Sequence, residues 1–344
     1  MPVRFTGFLR SAFAAALASL LLAASPAAAQ DAKAFYKGKT IRFVVGVGAG
    51  GGFDAYARML APLIEKELDA TVVVHNQPGA GGMIALNSMY NASGDGLQLQ
   101  MVNGTGAVLS QLLEDPSVRY DLTKISLLGV VTSSPWMWIR SPHSPMKTPA
   151  DFMKPGAKSS WGGSGQLGGL SDGAAVTCEA LKLTCRIVKG YDGSAQAALA
   201  LARGEVDAMY VSDGSARNYV GSGGAIALLN MASTKSRFFP DVPSVYDALK
   251  LTDEQKWWLQ FREDTNDLQR ILGMPPNMPK EQLALMQQVV RKILTDPAVI
   301  ADGEKTQRYI DYRSPEEVDK MIKTILVSIT PEQKKRAKEV LLKE

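Results

Sequence analysis

The stretch IRFVVGVGAGGGFDAYARML, residues 41–60, runs from an apolar segment through a glycine-rich turn into a segment with helical periodicity. Apolar side chains after the turn recur at the three- and four-residue spacing of one helix face. This pattern predicts a buried strand, a tight turn and an amphipathic helix. The residues that form the helical stripe are Tyr56, Met59, Leu60, Leu63 and Ile64.

The turn also matches the G-x-G-x-x-G spacing of dinucleotide-binding proteins, with Gly46, Gly48 and Gly51 in the three glycine positions. A dinucleotide site needs an acidic residue at the end of the following strand to bind the ribose hydroxyls. Here that strand ends at Asn76, and Asp69 precedes it. We therefore expect no NAD and no other cofactor.

The glycine turn has a simpler use in anion binding. Gly50, Gly51 and Gly52 allow the backbone to approach a ligand closely. The first amides of the following helix are unpaired and carry the positive end of the helix dipole. They are suited to a carboxylate or phosphate without help from arginine or lysine. A turn made of glycine for backbone geometry alone fits these residues equally well.

The N-terminus has the pattern of an export signal. Arg4 and Arg10 precede the apolar segment 12–24, and three alanines lead to a cleavage point before Gln30. We predict that residues 1–29 are a signal peptide and that the mature protein is periplasmic. An uncleaved N-terminal membrane anchor is the alternative.

Composition argues against several functional classes. Removal of Arg4 and Arg10 with the signal lowers the net charge from +4 to +2, and the basic residues form no run typical of nucleic-acid binding. The only histidines, His75 and His143, lack metal-site spacing, and the loop around Ser164 lacks one glycine of a nucleophile elbow. We expect no metal, no nucleic-acid partner and no catalysis.

The chain has two cysteines, Cys178 and Cys185. In an oxidising compartment two thiols seven residues apart can close a small loop. They are a candidate disulfide, and two separate buried thiols are the alternative.

Strand-like and helix-like segments alternate in two sets. The first set follows residues 41–60 with Thr71–Asn76 and Leu97–Val102, and the second comprises Lys158–Leu183, Arg186–Asp213 and Ala225–Ala232. Such alternation predicts an α/β protein with two lobes, each a mostly parallel sheet flanked by helices. Ligands of open α/β sheets bind at the carboxyl ends of strands, so a cleft between the lobes is expected. The last hundred residues are predicted to be mostly helical.

Motifs along nearly the whole mature chain resemble the Bug-type extracytoplasmic solute receptors, the substrate-binding proteins of tripartite tricarboxylate transporters. The most specific is VVVHNQPGAGGMIALNSMYNASGDGLQL, residues 72–99, which is similar to that family's N-r-P-G-A-G-G and D-G-y-T-L block. Residues 39–61, 190–210 and 238–248 resemble three further family segments.

Two segments depart from the family pattern. GGSGQLGGLSD, residues 162–172, has Ser171 and Asp172 near the position of a family histidine. DEQKWWLQFREDTNDLQRILGMPP, residues 253–276, replaces a Trp-Tyr-Gly segment with polar residues. The chain is thus identified as a divergent member whose particular ligand is not carried over from the best-known members of the family.

The resemblance implies a type II-like periplasmic binding protein that closes on an organic carboxylate and delivers it to membrane permease subunits. The ligand is expected to be a di-, tri- or aromatic carboxylate, and the protein a monomer. The first lobe is assigned residues 30–131 plus 234–344, and the second lobe residues 132–233. Alternatives are a sensor subunit that presents the ligand to a histidine kinase and an exported carboxylate-processing enzyme.

The candidate ligand-binding residues come from loops at the carboxyl ends of strands in both lobes. Main-chain N–H groups and hydroxyls are expected to hold the anion without a cationic side chain. Trp161 is assigned to the pocket floor, with a core position as the alternative, and Asp54 either contacts the ligand or caps the helix. The candidates are Gly50, Gly51, Gly52, Asp54, Thr105, Ser133, Ser134, Trp161, Gly163, Ser164, Gly165, Tyr191, Asp192, Ser212 and Asp213.

Overall fold

A computed structural model describes residues 32–342 of the chain. The predicted signal peptide, residues 1–29, lies outside the described residues. Within the described range, no helix has the length and apolar character needed to cross a bilayer.

The first lobe is built on a five-stranded sheet with the order β2-β1-β3-β10-β4. Strands β1, β2 and β3 pair in parallel, and β10 runs antiparallel to both of its neighbours. The strands are β1 (Thr40–Val45), β2 (Thr71–Asn76), β3 (Gln98–Val102), β4 (Ser126–Val130) and β10 (Ile271–Met274).

Three helices connect the early strands of this lobe. Helix α1 (Gly52–Leu68) follows the opening glycine turn, and its predicted apolar stripe buries Tyr56, Leu60 and Ile64. Helices α2 (Met83–Tyr90) and α3 (Gly104–Leu112) follow β2 and β3. The opening stretch therefore forms the predicted strand, turn and helix.

The second lobe repeats the same plan with the order β7-β6-β8-β5-β9. Its antiparallel strand is β5. The strands are β5 (Trp136–Arg140), β6 (Lys158–Gly162), β7 (Thr184–Val188), β8 (Ala208–Ser212) and β9 (Ile226–Asn230). The helices are α4 (Pro149–Phe152), α5 (Leu170–Ala180), α6 (Ser194–Ala202) and α7 (Asp213–Gly221).

In each sheet the antiparallel strand is the first strand that the chain forms after it crosses from the other lobe. Strand β5 follows the crossing that leaves β4, and β10 follows the return from β9. The two-lobe α/β fold is thus confirmed, with one antiparallel strand in each sheet. The C-terminal region is mostly helical as predicted, and strand β10 is an addition to it, because its four buried residues are too few to show a period.

The C-terminal helices do not all belong to the first sheet. They are α8 (Val245–Ala248), α9 (Asp253–Asp264), α10 (Lys280–Leu294), α11 (Pro297–Lys305), α12 (Pro315–Leu326) and α13 (Pro331–Leu341). Helix α10 packs on α1 and β4, whereas α9 and α13 pack on α5 of the second lobe. Residues in the range 234–344 therefore contact both sheets.

A disulfide joins Cys178 to Cys185. Cys178 lies on α5 and Cys185 on β7, so the bond links the helix to the edge strand that follows it. The disulfide alternative for these cysteines is confirmed.

We expect reduction of this disulfide to lower the free energy of unfolding by about 2–3 kcal/mol, because an eight-residue loop loses its constraint in the unfolded chain. Denaturant unfolding of the oxidised protein, the reduced protein and a Cys178→Ser/Cys185→Ser variant measures the difference. The reduced protein and the variant should agree with each other, and equal stability of all three would contradict the expectation.

Candidate functional site

The N-terminus of α1 forms one wall of the region between the lobes. Gly51 is the N-cap residue, and no side chain caps the helix there. The first-turn amides are therefore left for another partner, and a helix N-terminus favours negative charge. Gly51, Gly52 and Phe53 line a small cavity between the lobes.

The side chain of Asp54 stabilises the glycine turn by hydrogen bonding. Its Oδ2 accepts hydrogen bonds from the Gly50 amide and from Nε of Arg58, each at 3.0 Å. Although burial acts to raise the pKa of Asp54, these hydrogen bonds outweigh burial and hold that pKa below its ordinary value. This geometry favours a structural role of Asp54 at the turn before the helix over ligand contact, and its backbone partner is the Gly50 amide and not a first-turn amide.

The two lobes meet backbone to backbone through glycines. The Gly48 amide donates to the Asp192 carbonyl across the cleft at 2.8 Å. A Cβ atom on Gly165 would lie 2.3 Å from the Gly81 nitrogen, and one on Gly81 would lie 2.5 Å from Cα of Gly168. No other residue type fits these positions without moving the lobes apart, so the structure is a closed form.

Closure leaves an inner cavity of about 30 Å³ between the lobes. One water occupies roughly 10–15 Å³ of such space, so this cavity accommodates a group with the size of two or three waters. The polar side chains that line it belong to four serines and one arginine. The lining residues are Val47, Gly51, Gly52, Phe53, Trp136, Ser164, Gly168, Leu170, Gly193, Ser194, Val211, Ser212, Ser215 and Arg270.

An outer cavity of about 110 Å³ adjoins the inner one. Both cavities are lined by Gly51, Gly52, Ser215 and Arg270. The further charged residues of the outer cavity are Arg217, Arg308 and Asp213, so positive groups outnumber negative ones there.

Arg270 lies between the two cavities and is only 3% exposed. Its guanidinium lies 4.7 Å from the ring centre of Tyr56 and 5.3 Å from that of Phe53. Nη1 donates to the Gln269 side chain and Nη2 to Oγ of Ser212 at 3.5 Å, while Nε has no partner. Burial lowers the pKa of Arg270, but arginine stays protonated in proteins.

Asp213 follows β8 and is the carboxylate whose charge acts on Arg270. It forms no ion pair with Arg270 in the described part of the chain. Its Oδ2 accepts from Ser236 at 2.9 Å and its Oδ1 from the Gly214 amide. Burial raises the pKa of Asp213 despite these hydrogen bonds.

A buried ion pair lies beneath the cavity. Nη2 of Arg262 is 3.3 Å from Oδ1 of Asp172, and both side chains are almost fully buried. The guanidinium of Arg262 also lies 5.1 Å from the ring centre of Trp136 and 5.2 Å from that of Tyr210. This cluster supports Trp136, the tryptophan that lines the inner cavity, whereas its strand neighbour Trp138 packs in the core.

Seven of the candidate residues line one or both cavities. Gly51, Gly52, Ser164 and Ser212 line the inner cavity, and Gly51 and Gly52 line the outer one as well. The other three line the outer cavity: Gly50, Ser134 and Asp213.

Other candidates lie outside these two cavities. Trp161 is fully buried against Trp138 and Phe152, with Nε1 donating to Ser159. Thr105 is buried and donates to the Thr265 carbonyl. The remaining candidates outside the two linings are Asp54, Ser133, Gly163, Gly165, Tyr191 and Asp192.

Ser133, Gly165 and Asp192 are in contact with residues of other segments. Ser133 lies in a separate groove near the crossing between the lobes and donates to Asp311. Gly165 and the carbonyl of Asp192 form the interlobe contacts described above. The backbone of Gly165 and the carbonyl of Asp192 therefore contribute to closing the cleft in this structure.

Arg270 is the main residue that sequence reasoning missed. It belongs to the atypical segment 253–276, where no motif marks it. The expectation of a site without a cationic side chain did not include this arginine, which the return of the chain to the first lobe brings to the cavity wall. Ser194 and Ser215 were also missed, because single serines after a strand carry no distinctive pattern.

The described residues contain no cluster of three histidine, cysteine or acidic side chains able to hold a metal ion.

We expect Asp172→Asn to lower the free energy of unfolding by about 3–5 kcal/mol, because Arg262 would keep a buried charge without its partner. Asp319→Asn is the matched control, since it breaks the exposed Asp319–Lys323 pair and should cost about 0.5 kcal/mol. Denaturant unfolding measures both changes, and similar small losses would contradict a structural role for the buried pair.

Comparison with known proteins finds relatives of this chain in sequence and solved structures with the same fold. A protein of Cupriavidus necator named "UPF0065 protein in gbd 5'region" is 30% identical over 69% of this chain and 72% of its own length. The periplasmic binding protein BugD superposes with a TM-score of 0.73 at 21% identity, over 89% of this chain and 98% of BugD. MatC of Rhodopseudomonas palustris, solved with bound malate, gives a TM-score of 0.71 at 21% identity, over 88% and 99%.

The family assignment comes from a family model that matches most of this chain. The model for the tripartite tricarboxylate transporter family receptor matches residues 56–305, which include elements of both lobes and Arg270. The chain belongs to the tripartite tricarboxylate transporter family of receptors.

Proposed function

We propose that this protein is a periplasmic receptor that captures an organic carboxylate between its lobes and delivers it to the permease subunits of a membrane transporter. The ligand is a di-, tri- or aromatic carboxylate. The receptor acts as a monomer and without a cofactor.

One observation carries this proposal: the uncapped N-terminus of α1 and the buried guanidinium of Arg270 meet at a cavity enclosed between the lobes. Both groups carry positive charge, and both favour an anion. The hydroxyls of Ser212 and Ser215 add neutral donors from the second lobe.

The lining of the inner cavity is suited to binding rather than to turnover. Its described residues are glycines, serines, apolar residues and one arginine, with no histidine, cysteine, lysine or carboxylate among them. Such a set offers donors to an anion but no group positioned as a general base. The malate in MatC shows that a protein of this fold holds a carboxylate, and this likeness supports the same class of ligand here.

Capture follows from the two-lobe arrangement. The ligand first meets the α1 N-terminus and Arg270 on the first lobe, and closure adds donors of the second lobe while it excludes water. The ligand shifts the equilibrium by its differential affinity for the closed form. The closed form, which buries the ligand, is then the form presented to the permease.

A screen of malonate, succinate, citrate and benzoate tests the proposal on the purified chain from Gln30 onward. We expect at least one carboxylate to raise the melting temperature, because a ligand at 100 times its Kd adds about 2.7 kcal/mol to the free energy of unfolding. The same ligand should change tryptophan fluorescence, since Trp136 lines the inner cavity.

Succinamide and benzamide serve as controls that keep the shape and remove the charge. Neither should raise the melting temperature. Stabilisation by the amides and acids alike, or by none of the acids, would contradict carboxylate capture.

A further inference from the structure

Arg270 differs from Arg262 in a way that points to a ligand. Both guanidinium groups are buried, but Arg262 pairs with Asp172. Arg270 forms no ion pair within residues 32–342, whereas the Nε atoms of both arginines lack a hydrogen-bond acceptor there. Burying an unpaired charge is costly, so proteins ordinarily provide a partner.

The surroundings of Arg270 increase this cost. A Cβ atom on Gly52 would lie only 2.9 Å from Nη2 of Arg270, so the guanidinium lies directly against the first turn of α1. The helix N-terminus carries about half a positive charge. Asp213 is the carboxylate whose charge acts on Arg270, but it forms no ion pair with Arg270 among the described residues, and its oxygens accept from Ser236 and the Gly214 amide. The two positive groups in contact therefore lack a directly bonded anion, which a ligand in the cavity would supply.

We propose that Arg270 binds the anionic group of the ligand and that its guanidinium makes lobe closure depend on that group. This inference rests on the receptor function proposed above. It deepens that function by naming the recognising residue, which lies in the segment that departs from the family pattern.

The two lobes contribute different groups to this ligand-dependent closure. Arg270 precedes β10 and Gly52 begins α1, and both elements belong to the first lobe. Ser212, which accepts a hydrogen bond from Arg270, ends β8 in the second lobe, and Ser215, which lines both cavities with Arg270, lies on α7 of that lobe. When the lobes open, the Arg270 guanidinium is solvated by water. When they close without an anion, the guanidinium loses this water and gains no counterion in its place.

The size of the inner cavity specifies what is recognised. About 30 Å³ accommodates a carboxylate group next to Arg270, and a planar guanidinium binds a carboxylate through two parallel hydrogen bonds. The rest of the ligand extends into the outer cavity, which Arg270 also lines. Tyr56 and Phe53 fix the guanidinium plane by stacking, so its geometry is set before the ligand arrives.

Arg270→Met tests both parts of the inference, because it keeps an unbranched apolar side chain and removes the charge. Calorimetric titration with malonate, succinate, citrate and benzoate should show binding weakened about 10- to 100-fold relative to the wild type. Small-angle scattering without ligand should give a smaller radius of gyration for Arg270→Met than for the wild type, since closure no longer buries an unpaired charge.

Two further variants keep the result interpretable. Arg270→Lys retains the charge but not the paired donors, so its binding should be about tenfold weaker while closure still requires ligand. Arg203→Met removes an exposed arginine of the second lobe and should behave as the wild type. Circular dichroism confirms that each variant is folded.

The outcomes separate the two proposals. Unchanged affinity in both Arg270 variants, or equal radii of gyration for ligand-free wild type and Arg270→Met, would overturn the role of Arg270. Binding of none of the four acids by the wild type, with the difference in radius still present, would overturn the receptor function and leave the charge-dependent closure standing.

Discussion

The closed form depends on main-chain contact between glycines of the two lobes. Gly81 packs against Gly165 and Gly168, and Gly48 donates to the Asp192 carbonyl. Side chains at these positions would hold the lobes apart by the width of a methyl group or more. The small cavity, the exclusion of water and the burial of Arg270 all follow from this approach, because each requires the lobes to be in contact.

The two segments that depart from the family pattern, residues 162–172 and 253–276, are in contact in the structure. Asp172 lies in the first and Arg262 in the second, and they form one buried ion pair. Loss of either partner would leave the other charge buried without its counterion, which is strongly destabilising. The same second segment then continues to Arg270, which supplies the cavity with its charge. The departures therefore alter both the support and the chemistry of the site.

The scaffold holds Arg270 more firmly than a loop would. The residue directly precedes β10, a buried strand between β3 and β4 in the middle of the first sheet. Stacking on Phe53 and Tyr56 restricts the side chain further. Binding groups on rigid elements keep their geometry when the ligand is absent, which lowers the cost of ordering on binding.

Local patterns in the sequence were sufficient for the elements of the fold. The helical stripe after the opening turn, the alternation of strands and helices and the glycine turns predicted two α/β lobes with a cleft between them. These features depend on neighbours within about twenty residues, so periodicity and turn chemistry reveal them. The motif in residues 72–99 likewise identified the family before the fold was known.

What the sequence by itself determined was this architecture, the family and the glycine loops that face the cleft. Only the tertiary structure decided that Trp136 lines the cavity while Trp161 is buried in the core, and that Arg270 reaches the N-terminus of α1. Arg270 and Gly52 are more than two hundred residues apart in the chain. Their contact arises from the return of the chain between lobes, and no local pattern encodes a distance set by the packing of two sheets.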